Sequence, residues 1–357
     1  MLKFFHASRE TNNFDRRKSA QRMTAKVLFT DTSYKAADIQ DEAKFRELST
    51  LAEIQYAVPS SEDEMCRLIK DVDAVVIGEF AVTPRVIDAA PKLKLIAKCG
   101  VGYDSINVSY ATQRGVFVTN VPSVLAQPVA EHAMLLILAV AKRLVMSDTF
   151  VRTNRWDEFH LLKPGFELRG KTLGIVGFGS IGSKLGEMAR TAFGMKIIAF
   201  DPFVPPEKIR AQSAEPRSLE QVLSTSDIVS VNVPLSSETT RLVGEKEIRL
   251  MKPSAVLINT SRGKVLDEQA LVKALTSGWI AAAGVDVLEQ EPPESDNPLL
   301  KLENVTITPH TAAFTADATK ALWLACFGAI IDVLKGERPR PPANILNPTV
   351  VSPVRSK

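Results

Sequence analysis

The sequence predicts an α/β protein built on parallel, doubly wound sheets. Short apolar runs of four or five residues alternate along the chain with longer stretches of helical periodicity, the pattern of βαβ units rather than hairpins. One run, Thr172–Val176, passes at once into a glycine-rich turn and then a helix. Later runs each end in a residue that can act chemically, on the edge where doubly wound sheets bind ligands.

Taken in order, residues 1–24 are polar and lack periodic apolar positions, so they read as a disordered leader. Glu10 and Asp15 argue against an organelle-targeting segment there. Strands are expected at Val27–Thr30, Ile54–Tyr56, Ala74–Gly78, Leu95–Lys98 and Val116–Thr119. Helices are expected between them at Ala36–Leu48, Ser61–Ile69 and Pro84–Ala90. The second should be capped by Ser60 or Ser61 with Glu64 completing a box, and the third has Pro near its first turn. Gln127–Met146 reads as one long helix, apolar nearly all round and therefore buried at a domain or subunit interface. His132 within it is expected to be structural. Further strands are expected at Asp227–Val233, Ala255–Asn259, Ala282–Val287 and Val305–Thr308, with helices at Asp267–Ser277 (Gly278 as its stop) and Ala316–Lys335. A Pro-rich tail follows.

The stretch from Lys171 to Asp201 organises the rest. Gly177-Phe178-Gly179-Ser180-Ile181-Gly182 follows a strand, opens a helix with Leu185, Met188, Ala189 and Ala192 on one face, and leads to a second strand, Lys196–Phe200, ending in Asp201. This is the dinucleotide-binding fingerprint in its required context. Gly177 permits the turn, Gly179 lets backbone approach a pyrophosphate, and Gly182 lets helix and strand lie close. The helix N-terminus favours the phosphates. Asp201 is placed to accept hydrogen bonds from the adenosine ribose, and its charge repels a 2′-phosphate, which selects NAD over NADP.

At 357 residues the chain has room for two domains, and 45% hydrophobic with 24% charged residues is a globular composition. No apolar run approaches the roughly 20 residues needed to span a bilayer, so no membrane segment is expected. Cys66, Cys99 and Cys326 are widely spaced, giving no disulfide framework or zinc site and suiting a reducing cytoplasm. Seven Lys/Arg against two Asp/Glu fall within residues 1–26, which accounts for the net charge of +3. The remainder is slightly acidic, so nucleic-acid binding has no electrostatic support.

Moving a hydride to or from an alcohol carbon requires a proton carrier and a group to hold the substrate. Of four histidines, His6 lies in the leader, His132 in the apolar helix and His160 in a linker. Only His310 follows a strand end. Glu291, in a loop nineteen residues earlier, could orient its ring and favour the imidazolium form. Arg262, at the end of another strand, offers a planar fork suited to a carboxylate. On spacing alone each could instead be a cap or a surface ion-pair partner.

The chain resembles the D-isomer-specific 2-hydroxyacid dehydrogenase family. The matching pieces, in family order over about residues 26–345, are Gly100-Val101-Gly102-Tyr103-Asp104, Val129-Ala130-Glu131-His132, the Gly177–Gly182 turn, Pro234-Leu235 with Thr239, Asn259–Gly263, Asp286-Val287 through Glu291-Pro292, and Thr308-Pro309-His310. The resemblance implies that Arg262 binds the substrate carboxylate, helped by backbone N–H groups at Val101 and Gly102, and that His310 is the acid–base group supported by Glu291. It implies NAD contacts from Ser180, Ile181, Asp201, Pro234, Thr239, Thr260, Asp286 and His310, with Asp286 near the nicotinamide amide. A two-lobed architecture follows, with a Rossmann NAD domain (125–312) inserted in a smaller flavodoxin-like substrate domain (25–124 and 313–357). The cleft between lobes would close on a small 2-hydroxy or 2-keto acid, and the protein would be a homodimer. The loop Gly78-Glu79-Phe80-Ala81 lacks the arginines that hold a phosphate in phosphoglycerate dehydrogenases. That disfavours 3-phosphoglycerate, although Lys98 could compensate. A different class of function, an NAD(H)-sensing corepressor scaffold, is also compatible with this resemblance.

Overall fold

The computed structural model describes residues 25–30, 42–161 and 163–350. The leader and the first part of the expected Ala36–Leu48 helix lie outside the described residues. The described chain divides into two compact units. The first comprises residues up to Cys99, Ser105–Asn120 and Trp323 onward; the second comprises Gly100–Asp104 and Val121–Leu322. The crossings fall at 120/121 and 322/323, against the expected 124/125 and 312/313. Residues 100–104 group with the second unit, where Asp104 is held by Arg262 at 3.2 Å.

The first unit carries strands β1 (Ala25–Phe29), β2 (Ala52–Tyr56), β3 (Ala74–Ile77), β4 (Leu95–Lys98) and β5 (Phe117–Asn120). They form a parallel sheet in the order β2-β1-β3-β4-β5, the flavodoxin-like arrangement. Every residue of β3, β4 and β5 is buried, because a parallel sheet is covered on both faces and its strands read as unbroken apolar runs. Helices Glu62–Leu68 and Pro84–Asp88 start where their caps dictate. Ser61 accepts from the Glu64 N–H and Thr83 from Val86. Glu64 reaches back one residue further than a regular box, to the N–H and hydroxyl of Ser60.

The second unit contains β6 (Thr172–Val176), β7 (Lys196–Phe200), β8 (Glu215–Pro216), β9 (Ile228–Val231), β10 (Val256–Asn259), β11 (Ala282–Val285) and β12 (Val305–Ile307). All run parallel, in the order β8-β7-β6-β9-β10-β11-β12. The strand order reverses direction between β6 and β9, and that switch point is where a doubly wound sheet opens a crevice. Alternate residues feed two cores: Leu257 and Val285 one, Val256 and Ile258 the other. The last strand of the chain, β13 (Asn344–Ile345), returns to the first unit and pairs antiparallel with β5.

Two expectations about the long helix are corrected. It runs Pro122–Ala141, not Gln127–Met146, and a separate helix occupies Leu144–Arg152. Arg143 between them takes φ 52°, which no continuing right-handed helix allows. The sequence shows only apolar periodicity across this break, since Arg carries no stop signal. By length and composition Pro122–Ala141 could cross a membrane, contrary to the expectation that no segment would. Gln127, Glu131 and His132 interrupt the apolar run without breaking the helix. Most of it is buried within the second unit, packed against helix Ser180–Phe193 and strands β10 and β11. A short helix at Val108–Gln113, capped by Asn107, was not expected.

Candidate active site

The glycine turn sits at the carboxyl end of β6, beside the switch point. Gly177 has φ 94°, and a side chain there would come within 2.8 Å of Asn232 and Val233 at the end of β9. Gly182 lies in the first turn of helix Ser180–Phe193. A Cβ on it would approach the Gly177 carbonyl oxygen to 2.2 Å, so helix and strand meet at a distance only glycine permits. Gly179 differs. A Cβ there would meet nothing within 4 Å, so its face opens outward and backbone is accessible to a ligand. The helix N-terminus adds N–H groups and the positive end of its dipole, with Ser180 and Ile181 in that first turn.

Asp201, directly after β7, ties the turn together. One carboxylate oxygen accepts the Phe178 N–H at 2.8 Å, and the other accepts those of Phe203 (2.8 Å) and Val204 (3.2 Å). Beyond β9, the Thr239 hydroxyl donates to the Pro234 carbonyl at 2.6 Å and accepts the Ser236 N–H at 2.7 Å, folding 234–239 into a compact loop. At the ends of β9 and β10, Asn232 Oδ1 and Thr260 Oγ1 are buried without a hydrogen-bond partner. Unpaired buried polar atoms call for an explanation, and both lie at strand ends where a dinucleotide would supply polar groups. The residues present therefore fit NAD.

Three loops beyond β10, β11 and β12 carry the groups expected to do chemistry. Asn259, fully buried at the end of β10, accepts from the Ser261 N–H and hydroxyl and donates to the Arg262 carbonyl, which fixes the turn presenting Arg262. The Arg262 guanidinium bonds to Asp104 (Nε, 3.2 Å) and the Ser261 carbonyl (2.9 Å). Its Nη2 lies so close to Gly102 that a Cβ there would be 1.8 Å away. Gly263 meets the backbone at Leu288–Glu289 with no room for a side chain, so the Arg262 turn abuts the loop bearing Glu291.

Glu291 accepts the Leu288 N–H at 3.0 Å and, on its other oxygen, His310 Nδ1 at 2.7 Å. Burial alone would raise its carboxyl, but the hydrogen bonds from His310 and Leu288, with the charges of His310 and Arg262, outweigh this and hold it below its ordinary value. His310 takes φ 53°, a left-handed conformation that His adopts more readily than most residues but still at some cost. It is kept there by hydrogen bonds from its N–H to the carbonyls of Asp286 (2.8 Å) and Thr308 (3.1 Å).

Asp286 is the residue that the resemblance puts near the nicotinamide amide. It is 1% exposed. Its carboxylate accepts from the Thr308 hydroxyl (2.5 Å), the Thr311 N–H (2.9 Å) and the Ala312 N–H (2.8 Å). All these donors flank His310, so the side chain faces the His310 loop. Asp104, Asn232 and Asn259 carry no role in the sequence reading. Asn259 and Asp104 sit inside recognised motifs, whereas nothing short of three-dimensional adjacency marks Asn232. In the first unit, Lys98 at the end of β4 is 1% exposed, and its ammonium is held by the Gly78 carbonyl and by Glu79 at 2.6 Å.

The chain is similar to known proteins along most of its length. Residues 134–312 match the family model for the D-isomer specific 2-hydroxyacid dehydrogenase NAD binding domain. A glyoxylate reductase of Thermococcus litoralis is 45% identical over 290 residues, 80% of this chain and 86% of that protein. A D-3-phosphoglycerate dehydrogenase of Methanocaldococcus jannaschii is 38% identical over 87% of this chain but only 58% of its own length. Among solved structures, a glyoxylate reductase from Paecilomyes thermophila superposes with a TM-score of 0.78 at 30% identity, covering 87% of this chain and 96% of that one. An NADPH-dependent glyoxylate/hydroxypyruvate reductase from Sinorhizobium meliloti, solved with NADP and malonate, gives 0.75 at 28% identity, covering 86% and 92%. With a Rossmann sheet of matching order and a glycine turn that fits NAD, this chain belongs to the D-isomer specific 2-hydroxyacid dehydrogenase family and is an NAD-dependent oxidoreductase of 2-hydroxy acids.

Proposed function

We propose that this enzyme reduces glyoxylate and similarly short 2-keto acids to the corresponding D-2-hydroxy acids, with NADH in preference to NADPH. The observation carrying this reading is the 2.7 Å pair between His310 Nδ1 and Glu291, on the same sheet edge as Arg262. The Gly177–Gly182 turn and Asp201 would hold NADH, which would supply the hydride for C2. Arg262 binds the keto-acid carboxylate through its guanidinium, and the Val101 and Gly102 N–H groups assist. With Nδ1 tied to Glu291, His310 delivers its proton from Nε2 to the carbonyl oxygen as that oxygen gains charge. Glu291 stabilises the imidazolium beforehand and keeps the ring in one orientation afterward. In the oxidative direction His310 takes the hydroxyl proton instead.

The short-chain preference is supported by the relatives named glyoxylate reductase and by the Lys98–Glu79 pair. That pair leaves the loop after β3 with an ammonium already matched to a carboxylate, which disfavours a phosphorylated tail. Self-association is supported by helix Leu144–Arg152, in which no residue is buried. Leu144, Val145 and Val151 are half exposed, and Trp156 and Phe159 nearby are 69% and 68% exposed. A second copy of this chain would cover so apolar a surface.

The test is a screen of glyoxylate, hydroxypyruvate, pyruvate and longer 2-keto acids with NADH, run beside His310→Gln. The wild type should oxidise NADH with the short acids, and the variant should lose turnover while binding NADH normally. Unchanged turnover in His310→Gln would remove His310 from the mechanism.

A further inference from the structure

We propose that His132 is a positioning residue for His310, acting through Thr308 and Asp286. The inference rests on the reading of His310 as the acid–base group. His132 lies in the middle of helix Pro122–Ala141, where a histidine in an apolar stretch is ordinarily a satisfied core residue. Here its Nε2 meets the Thr308 hydroxyl at 2.9 Å and lies 3.4 Å from the Asp286 carboxylate.

Proton counting assigns the direction of these bonds. The Thr308 hydroxyl has one proton, which it donates to Asp286 Oδ1 at 2.5 Å. Nε2 of His132 must therefore carry hydrogen and donate to the hydroxyl oxygen. The result is a chain of donors running from the helix through the hydroxyl to a buried carboxylate. The same carboxylate takes the N–H groups of Thr311 and Ala312, and the Asp286 carbonyl takes the N–H of His310. Residues 308–312 are thus wrapped around one acid, with His310 held in its left-handed conformation at the centre.

Asp286 is anchored to β10 through its N–H to the Asn259 carbonyl at 2.9 Å. His132 adds an anchor on a different element, the long helix packed beneath the sheet. Without that donor the Thr308 hydroxyl keeps only its bond to Asp286, and residues 308–312 lose their tie to the helix. The loop then holds its conformation less firmly, and the Nε2 atom of His310 samples positions from which proton transfer fails. A displacement of about 1 Å at a reacting group is enough to cost about 100-fold in rate. His132 touches neither substrate nor cofactor in this account; its effect passes entirely through the loop.

The test compares His132→Phe, which keeps ring volume and removes the donor, with His132→Gln, whose amide nitrogen falls near the place of Nε2. Thr308→Val, which removes only the hydroxyl, is the independent second variant and carries the test if His132→Phe does not fold. Steady-state kinetics with glyoxylate and titration with NADH are measured for all. The expected result is a kcat lower by about tenfold in His132→Phe and in Thr308→Val, as for one hydrogen bond in a charged network. KM and NADH affinity should stay near wild type, and His132→Gln should recover most of the loss. The double variant should be little worse than either single one, because both cut the same chain. Wild-type kcat in His132→Phe, equal loss in His132→Gln, or multiplicative losses in the double variant would each overturn the proposal. If the wild type reduces no 2-keto acid at all, it is the functional reading that fails, which these outcomes distinguish.

Discussion

Gly102→Ala is the sharpest probe of how Arg262 is held. Gly102 is not among the glycines with positive φ, so alanine can adopt its backbone. What excludes a side chain is the guanidinium. A Cβ would stand 1.8 Å from Nη2 and 2.6 Å from Cζ of Arg262. Restoring an ordinary contact of about 3.5 Å requires the fork to retreat by roughly 1.5–2 Å. The neighbour is the end of a flexible side chain, so it can swing away at little cost to folding. It cannot do so and still meet a carboxylate with two parallel hydrogen bonds. Losing a charge-assisted contact worth about 1.5–3 kcal/mol predicts a kcat/KM for glyoxylate lower by roughly 10- to 150-fold. Most of the effect should fall on KM, since a carboxylate is bound alike in ground and transition states. The assay is steady-state kinetics with saturating NADH, paired with NADH titration and a melting curve, both expected near wild type. Adding Gly102→Ala to an Arg262→Lys background should cost little more. A kcat/KM within about twofold of wild type, or an undiminished penalty in the Arg262→Lys background, would refute this account of the site.

Other perturbations follow from the same geometry. Glu291→Gln removes the anion beside His310, so reduction should slow and its alkaline decline should set in at lower pH, read from kcat/KM profiles. The Glu291 carboxyl is held below its ordinary value in the folded protein. Its stabilising contribution is therefore present above the unfolded value of about 4.3 and is lost as pH falls through the folded one. Melting temperatures of wild type and Glu291→Gln should differ at pH 6 and converge in acid. Asp201→Ser removes the carboxylate at the end of β7 and its three backbone hydrogen bonds, and on the proposed NADH preference should lower the NADH-over-NADPH ratio of kcat/KM by about tenfold or more. An unchanged ratio would place cofactor choice elsewhere. Trp156→Glu, tested by light scattering after size-exclusion chromatography, should convert a dimer to monomers if the surface around Leu144–Arg152 joins two copies.

Much of this protein can be read from its sequence because its signals are local. The βα alternation, the strand ends and the Gly177–Gly182 turn with Asp201 each occupy a continuous segment, and short-range sterics determine them: a positive φ at Gly177, a close helix–strand approach at Gly182, a cap at Ser61. Arg262, Glu291 and His310 could be nominated because each follows a strand in a parallel sheet, whose carboxyl ends share one edge. The tertiary structure decided what depends on contact between distant segments. Arg143 breaks the long helix with no glycine or proline to announce a stop, and the Phe166 N–H, from a segment further along the chain, takes up the Ala141 carbonyl at the helix end. Asp286 faces inward because donors 22 to 26 residues downstream converge on its carboxylate. His132 meets Thr308 across 176 residues. Asp104 reaches Arg262 across 158. Sequence determines which residues stand at the sheet edge; only the folded backbone determines which of them meet, because that depends on register and loop path rather than on neighbours in the chain.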